Sequence, residues 1–109
     1  MSLKEAQFQK QLRNKLDKID NCYYFVKEAK AIRGIPDIVG CLNGHFFAME
    51  VKRSQSEARK NTGRIVLQKY TLQRIDKAHG IGYLVYPENI QEVLDDLLMR
   101  CNRKSFLVP

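Results

Sequence analysis

The stretch GIPDIVGCLNGHFFAMEVK, residues 34–52, decides the fold of this chain. It contains two apolar runs, residues 35–42 and 45–52, which are joined by Asn43 and Gly44. An Asn-Gly pair between two apolar runs is the strongest short-range signal of a β-hairpin with a two-residue type I′ turn. We therefore predict two antiparallel strands that meet at this turn.

The predicted hairpin places two acidic residues opposite each other. With Asn43 and Gly44 in the turn, counting outward along both strands brings Asp37 opposite Glu50. Directly opposed side chains share one face of the sheet, with Cβ atoms roughly 4.5–5.5 Å apart. Lys52 lies two residues beyond Glu50 and therefore points to the same face. Two like charges opposed on an apolar sheet are destabilising, so the pair requires a compensating positive charge.

Two sources of that positive charge are open at this point. Lys52 alone would give a purely structural cluster. Alternatively, Asp37, Glu50 and the backbone carbonyl of Val51 offer part of the oxygen shell that Mg²⁺ completes with waters and a substrate phosphate. A metal at that position polarises a phosphate and lowers the pKa of a bound water, and Lys52 would orient the water or stabilise the developing charge. The second alternative predicts hydrolysis of phosphodiester bonds.

The distribution of charge favours an anionic partner. The chain has 109 residues, a formal net charge of +7 and a pI near 9.5. The acidic pair lies in residues 34–50, which carry a charge of −2, between residues 1–33 at +4 and residues 51–77 at +6. A carboxylate pair that holds a divalent cation within basic surroundings would attract nucleic acid. The alternative is that the basic residues only solvate helix faces.

Length and composition exclude several classes of protein. A chain of this length accommodates one core, so we expect a single domain over residues 1–109. No apolar run approaches the roughly 18 residues that span a bilayer, and no signal peptide is evident, so we expect no membrane partner. The three cysteines are odd in number and far apart, which favours a reducing cytoplasm over disulfides or a zinc knot. We expect Cys22, Cys41 and Cys101 to pack in the core.

The segment before the hairpin predicts a helix followed by a strand. Phe8, Leu12, Leu16 and Ile19 form one apolar stripe, and we expect the helix to end at residues 20–21. Ser2 and Glu5 have the spacing of a capping box at its start. Residues 23–28 form the strand candidate.

After the hairpin, residues 53–64 lack large apolar side chains and predict a loop. We then expect a helix over residues 65–79, a strand over residues 81–86, and a last helix that Asn89 caps. The apolar stripe of the last helix contains Ile90, Val93, Leu94, Leu97, Leu98 and Cys101.

The predicted order is α-β-β-β-α-β-α. A helix between the third and fourth strands indicates a right-handed parallel crossover beside an antiparallel hairpin. The predicted fold class is therefore α/β (α+β), with a mixed four-stranded sheet flanked by helices.

The hairpin residues resemble the signature of the PD-(D/E)xK nuclease superfamily, with PD at residues 36–37 and ExK at residues 50–52. The RGIPD start at Arg33, together with a glutamine in the next helix, resembles the VRR-NUC branch. The resemblance covers roughly residues 3–86 and implies a restriction-endonuclease-like αβββαβ core. It also implies a DNA endonuclease that uses Mg²⁺ or Mn²⁺ and no organic cofactor. The stand-alone phage or bacterial members are similar to Holliday junction resolvases, which implies branched DNA, a homodimer, and the cytoplasm of a bacterial or phage-infected cell.

The resemblance also implies roles for single residues. Asp37 and Glu50 would be metal ligands and Lys52 the catalytic lysine. Glu5 matches an acidic residue that the family often supplies from its first helix, and Gln68 matches the family's helix glutamine. From the residues alone, Glu5 has the alternative role of the capping box, and Gln68 that of an amide bonded to nearby backbone.

Several basic and aromatic side chains after the hairpin are candidates for phosphate contacts, which dominate affinity for nucleic acid without specifying sequence. They are Arg53, Arg59, Lys60, Arg64, Lys69, Tyr70 and Arg74. Two other functions remain open. One is a nucleic-acid-binding module without catalysis, in which Lys52 neutralises the acidic pair. The other is an acidic–basic cluster that only stabilises the fold or a subunit interface. Separately, Leu94, Leu97 and Leu98 of the last helix could supply a dimer interface or could complete the core.

Overall fold

A computed structural model describes residues 2–28 and 34–102 of the chain. It contains four α-helices, one 3₁₀ turn and four strands within these residues. In chain order they are α1 (Leu3–Leu16), β1 (Cys22–Val26), β2 (Ile38–Leu42), β3 (His45–Val51), α2 (Gln55–Ala58), α3 (Gly63–Lys77), β4 (Ile81–Val85), the 3₁₀ turn (Pro87–Asn89) and α4 (Ile90–Arg100).

The hairpin prediction is confirmed. Asn43 and Gly44 have positive φ angles of 50° and 84°, as a type I′ turn requires, and Leu42 pairs with His45 across it. The antiparallel ladder of β2 and β3 extends to the pair Ile38 and Met49. Asp37 therefore lies one residue beyond the last pair, next to Glu50.

The predicted fold class is also confirmed, and so is the predicted order of elements apart from the additional helix α2. The strands lie in the order β1-β2-β3-β4. The first three are antiparallel neighbours, and β4 runs parallel to β3 because α3 connects the two. The result is a mixed four-stranded sheet flanked by helices.

The sheet packs helices on both faces. One face carries Phe47 and Met49 of β3 in the main core, which also receives Leu12 of α1 and Leu97 of α4. Gly40 makes room there, because a Cβ at this position would lie 2.8 Å from the Phe47 ring. The opposite face receives α3, which contacts β3 and β4. This second face carries Glu50, since side chains alternate along a strand.

The structure corrects the predicted end of α1 and the predicted loop over residues 53–64. Helix α1 ends at Leu16 instead of residues 20–21, and Asp17 is its C-cap. The Tyr24 hydroxyl donates to Asp17 Oδ1 at 2.6 Å, which holds this end, while Ile19 packs against the core from the turn that follows. Residues 53–64 are not a continuous loop. They contain α2, because the Ser54 side chain accepts a hydrogen bond from the Glu57 N–H at 3.1 Å.

The later helices also differ from their predicted ends. Helix α3 begins at Gly63 because the Thr62 side chain accepts the Ile65 N–H, and it ends at Lys77 instead of residue 79. Asn89 precedes α4 but its side chain does not cap it. The amide accepts from the Tyr86 N–H and donates to the Leu84 carbonyl, which fixes the turn from β4 to α4.

The prediction that all three cysteines pack in the core is wrong for Cys41, which is exposed on the outer half of the sheet. Cys101 is buried as expected, and Cys22 is half-buried against the core. Leu98 is 48% exposed, because it lies on the outer flank of α4. In the described ranges, 2–28 and 34–102, no helix combines the length and apolarity needed to cross a bilayer.

Candidate active site

The structure brings the two carboxylates together at the open end of the hairpin. Asp37 and Glu50 are both buried, with 8% and 3% of their surface exposed. The Val51 N–H donates to Asp37 Oδ2 at 2.8 Å, so the backbone of β3 holds the Asp37 side chain against that strand. The Val51 side chain itself lies in the main core, and only its backbone reaches the site.

The pair is electrostatically unfavourable when both carboxylates are charged. Burial, the charge of Asp37 and a hydrogen bond with Asp37 together raise the pKa of Glu50 to about 8. The positive charges of Lys52 and Lys27 lower this pKa, but less than the other causes raise it. The pKa of Glu50 is therefore raised chiefly because burial penalises its charged form, and the neighbouring Asp37 adds to this.

Gln68 contacts the site from α3, on the line of residues that faces the sheet. Its side chain is 7% exposed, and its Nε2 donates to Glu50 Oε1 at 2.9 Å. Its Oε1 is buried, and no hydrogen-bond partner for it exists in the part of the chain that the structure describes. The amide is therefore bonded to the carboxylate and not, as the alternative had it, to neighbouring backbone.

Two lysines supply the positive charge next to the carboxylates. Lys52 is 6% exposed, and its charge lowers the pKa of both Glu50 and Glu5. Lys27 is the functional candidate that sequence reasoning missed: its Nζ lies 3.8 Å from Asp37 Oδ1 and donates to the Ile35 carbonyl at 3.0 Å. The register of β1 on β2 brings Lys27 beside Asp37, and no short turn between these strands reveals that register in the sequence.

Glu5 lies at the start of α1 and also at the edge of the site. Its backbone N–H donates to the Ser2 hydroxyl at 3.1 Å, which caps α1. Its side chain points into the same cleft as Asp37. Burial and the Asp37 charge raise the pKa of Glu5, although the Lys52 charge lowers it.

A cleft of about 580 Å³ opens over these residues. The amino-terminal ends of α1 and α3 form its walls, and α2 lies at its rim. The sequence-predicted residues in its lining are Glu5, Asp37, Glu50, Lys52, Arg53 and Arg64. Gln9, Arg13, Lys27 and Glu57 also line it and were not predicted. The helical spacing of Glu5, Gln9 and Arg13 on α1 is the signal that would have revealed two of them.

The other predicted phosphate contacts lie on the outer surface. Arg59 and Lys60 follow α2, and Lys69 and Tyr70 lie on α3, where Tyr70 is 57% exposed. Glu57 neutralises part of the basic rim, because its Oε2 lies 3.0 Å from Lys60 Nζ and 3.4 Å from Arg53 Nη2. Arg53 and Arg64 are exposed basic residues at the cleft itself.

The donor set fits a hard divalent cation that is only partly held by protein. Asp37 Oδ2 accepts from the Val51 N–H and Glu50 Oε1 accepts from Gln68 Nε2, so both carboxylates are held beside each other. Mg²⁺ commonly takes one or two carboxylates and completes its shell with waters and substrate phosphate. Within the described residues, no three His, Cys, Asp or Glu side chains lie close enough to hold a metal by themselves. Glu5 lies beside this pair, near enough that the Asp37 charge raises its pKa.

Comparisons with protein-family models, with curated proteins and with solved structures found no match to this chain. Arg33, which carries part of the resemblance to the VRR-NUC branch, lies outside the described residues.

Proposed function

We propose that this chain is a metal-dependent DNA endonuclease with a restriction-endonuclease-like core, of the VRR-NUC branch of the PD-(D/E)xK superfamily. The observation that carries the proposal is the contact between two buried carboxylates, Asp37 and Glu50, beside the buried Lys52 at the floor of an open cleft. Such a cluster adds little stability to a fold, because burying charge is costly. Buried titratable groups with shifted pKa values in a cleft are typical of active sites, which supports the proposal.

The residues of the cleft have distinct roles in this proposal. Asp37 and Glu50, with the Val51 carbonyl, would hold Mg²⁺ or Mn²⁺, which supplies Lewis acidity when bound. Gln68 orients the Glu50 carboxylate through its hydrogen bond. Lys52 holds the attacking water or stabilises charge on the phosphoryl oxygens. Water adds to phosphorus, the bond to the leaving sugar oxygen breaks, and that oxygen takes up a proton.

DNA is the substrate that fits the surroundings of the cleft. The chain carries a net charge of +7, and basic residues flank the acidic pair in sequence on both sides. Arg64 and Arg53 stand at the cleft, and Arg59, Lys60, Lys69 and Tyr70 extend this surface along α2 and α3. The proposal includes action on branched DNA by a homodimer in the cytoplasm, as in Holliday junction resolvases.

One observation favours a second candidate, a nucleic-acid-binding module without catalysis. Lys27 lies 3.8 Å from Asp37, so two lysines and not Lys52 alone share the neutralisation of the acidic pair. In such a module, the cluster would need no metal.

The test is cleavage of linear and branched DNA by the full chain, with Mg²⁺ and with EDTA. We expect Mg²⁺-dependent cleavage, which Asp37→Asn and Lys52→Ala each reduce by a factor of about a hundred or more. Asp95→Asn and Lys10→Ala are the matched controls on exposed helix surfaces and should cleave normally.

DNA affinity separates the two candidates. A nuclease should keep its affinity for DNA in the Asp37→Asn variant while cleavage disappears. Wild-type protein that binds DNA and never cleaves it with Mg²⁺ or Mn²⁺ would establish the binding module instead. Near-normal turnover of either site variant would refute the assignment of the site.

A further inference from the structure

Helix α1 forms one wall of the cleft, and two buried polar atoms on this wall have no hydrogen-bond partner among the described residues. Gln9 is 7% exposed and its Oε1 is buried. The Nε of Arg13 is buried as well, one turn further along the helix. No described residue supplies a hydrogen-bond partner to either atom, and both side chains line the cleft. A buried acceptor and a buried donor on one wall indicate a site for a polar ligand, because unpaired buried groups are costly.

The spacing of these groups matches a repeating ligand. Glu5, Gln9 and Arg13 follow each other at intervals of four residues along α1, which corresponds to a rise of about 6 Å for each step. Successive phosphates of a single DNA strand are separated by a similar distance. The line begins at Glu5, beside Asp37 and Lys52, and leads away from the carboxylate pair.

We propose that this wall of α1 is a binding track for the DNA strand that flanks the scissile phosphate. Arg13 binds the phosphate that lies furthest from the carboxylate pair. Gln9 forms a hydrogen bond with the nucleotide that lies between this phosphate and the carboxylate pair. This inference rests on the proposed nuclease function for its substrate. It assigns to Gln9 and Arg13 the role of substrate binding and gives them no part in the chemistry.

The test is the affinity of the full chain for 5′-phosphorylated oligothymidylates of two and of four nucleotides, measured in EDTA so that cleavage plays no part. We expect the wild type to bind the tetranucleotide about tenfold more tightly, since one charged hydrogen bond is worth roughly this factor. Arg13→Gln should abolish the gain. Lys15→Gln, the same change of charge on the exposed side of α1, should keep it.

A second readout separates this proposal from the nuclease function. In cleavage assays, Arg13→Gln should raise KM and leave kcat nearly unchanged, and thermal unfolding should show that the variant is folded. An equal gain from the longer oligonucleotide in the wild type and in Arg13→Gln would overturn the track, whether or not the protein cleaves DNA. If the wild type binds the tetranucleotide more tightly, Arg13→Gln does not, and the wild type cleaves no DNA, the nuclease function would be overturned and the binding track retained.

A different observation concerns the half of the sheet that α3 does not cover. Tyr23, Cys41 and Phe46 are directly opposed across β1, β2 and β3, and all three are exposed, Tyr23 at 74% and Phe46 at 47%. The next row contains Phe25, which is 59% exposed, and the half-buried Val39. This surface, the aromatic face, contains no charged side chain in either row.

The exposed apolar area of the aromatic face can be compared with the apolar area of a protein interface. An aromatic side chain has a surface of roughly 200 Å², so the exposed parts of its three rings amount to about 350 Å². A standard interface contains roughly 500 Å² of apolar area on each partner, if about 65% of some 800 Å² is apolar. The aromatic face therefore supplies most of the apolar area that a stable dimer needs.

We infer that the aromatic face binds a second copy of this chain. Because it lacks charge, it does not suit DNA phosphates and offers no ion pairs that would select a different protein. An uncharged apolar face is complementary to itself, and two-fold dimers are the commonest oligomers of soluble proteins. This inference assigns the interface of the proposed homodimer to the aromatic face of β1, β2 and β3 instead of α4.

The test is the molecular mass of the full chain in solution, measured by sedimentation at micromolar and at higher concentration. We expect a dimer that Tyr23→Glu converts to a monomer. Met99→Glu, at a residue of α4 that is 70% exposed, is the matched control and should remain a dimer. A wild type that stays monomeric at all concentrations, or a dimer that only Met99→Glu dissociates, would overturn the inference. DNA cleavage by the monomeric variant reports on the nuclease function separately.

Discussion

The two ends of the β2–β3 hairpin have opposite effects on the stability of the fold. At the turn end, two contacts stabilise the fold: the Asn43 amide donates to the Cys101 carbonyl at 2.9 Å, and Phe47 is fully buried. At the open end, Asp37, Glu50 and Lys52 are buried together, and the pKa of Glu50 is raised to about 8. One element thus joins a stable end to an end that costs stability.

This difference indicates where the function lies. Buried charges and an unpaired buried acceptor, Gln68 Oε1, lower the stability of a small domain that has little to spare. Perturbed pKa values of this kind cluster at functional sites. The turn end needs no such explanation, because apolar burial and hydrogen bonding account for it.

The largest effect is expected at the turn end. Phe47→Ala removes a fully buried ring from the core and should lower the free energy of unfolding by about 3–5 kcal/mol. Urea unfolding measures this loss. Met99→Ala, at an exposed residue of α4, should change stability by less than about 0.5 kcal/mol. A small effect of Phe47→Ala would show that the turn end does not carry the core as described.

At the open end, we expect a substitution to stabilise the protein. The pKa of Glu50 is raised from 4.5 to about 8, so the folded state keeps a proton that the unfolded state loses. The free energy of unfolding should therefore fall as the pH rises through this window, by up to about 1.4 kcal/mol for each pH unit.

Glu50→Gln removes this ionisation and keeps an acceptor for Gln68. The variant should therefore be more stable than the wild type near pH 8 and lack this part of the pH dependence, while it loses cleavage. Denaturant unfolding between pH 5 and pH 8 measures both, where the window is set by the shifted pKa. A variant that is less stable than the wild type at pH 8 would contradict the contrast between the two ends.

The smallest effect concerns the turn itself. Gly44 has a φ of 84°, so Gly44→Ala places a side chain in the left-handed region and should destabilise by about 1–2 kcal/mol. Gly63 is the matched control: a Cβ there meets no atom within 4 Å, and Gly63→Ala at the start of α3 should be neutral or slightly stabilising. Thermal unfolding of both variants compares them. Equal effects would mean that the type I′ turn does not set the hairpin.

Only the part of the site that depends on contacts between near neighbours in sequence could be predicted. The hairpin turn fixed the register of β2 on β3, and with it the proximity of Asp37 and Glu50. Lys27 could not be predicted, because β1 joins β2 through a longer connection that sets no register. The end of α1 was also missed, because its cap depends on the Tyr24 hydroxyl, which comes from the next strand.

The sequence by itself determined the hairpin, the order of the elements and the opposition of the two acids, since each follows from turn chemistry and side-chain alternation between near neighbours. Tertiary structure alone decided that Gln68 bonds Glu50 and that Lys27 lies beside Asp37. It also decided that α1 lines the cleft with Gln9 and Arg13, and that the aromatic face is exposed in the described part of the chain. These contacts join segments that are distant in the chain, and their geometry depends on how helices pack on a sheet, which no local pattern specifies.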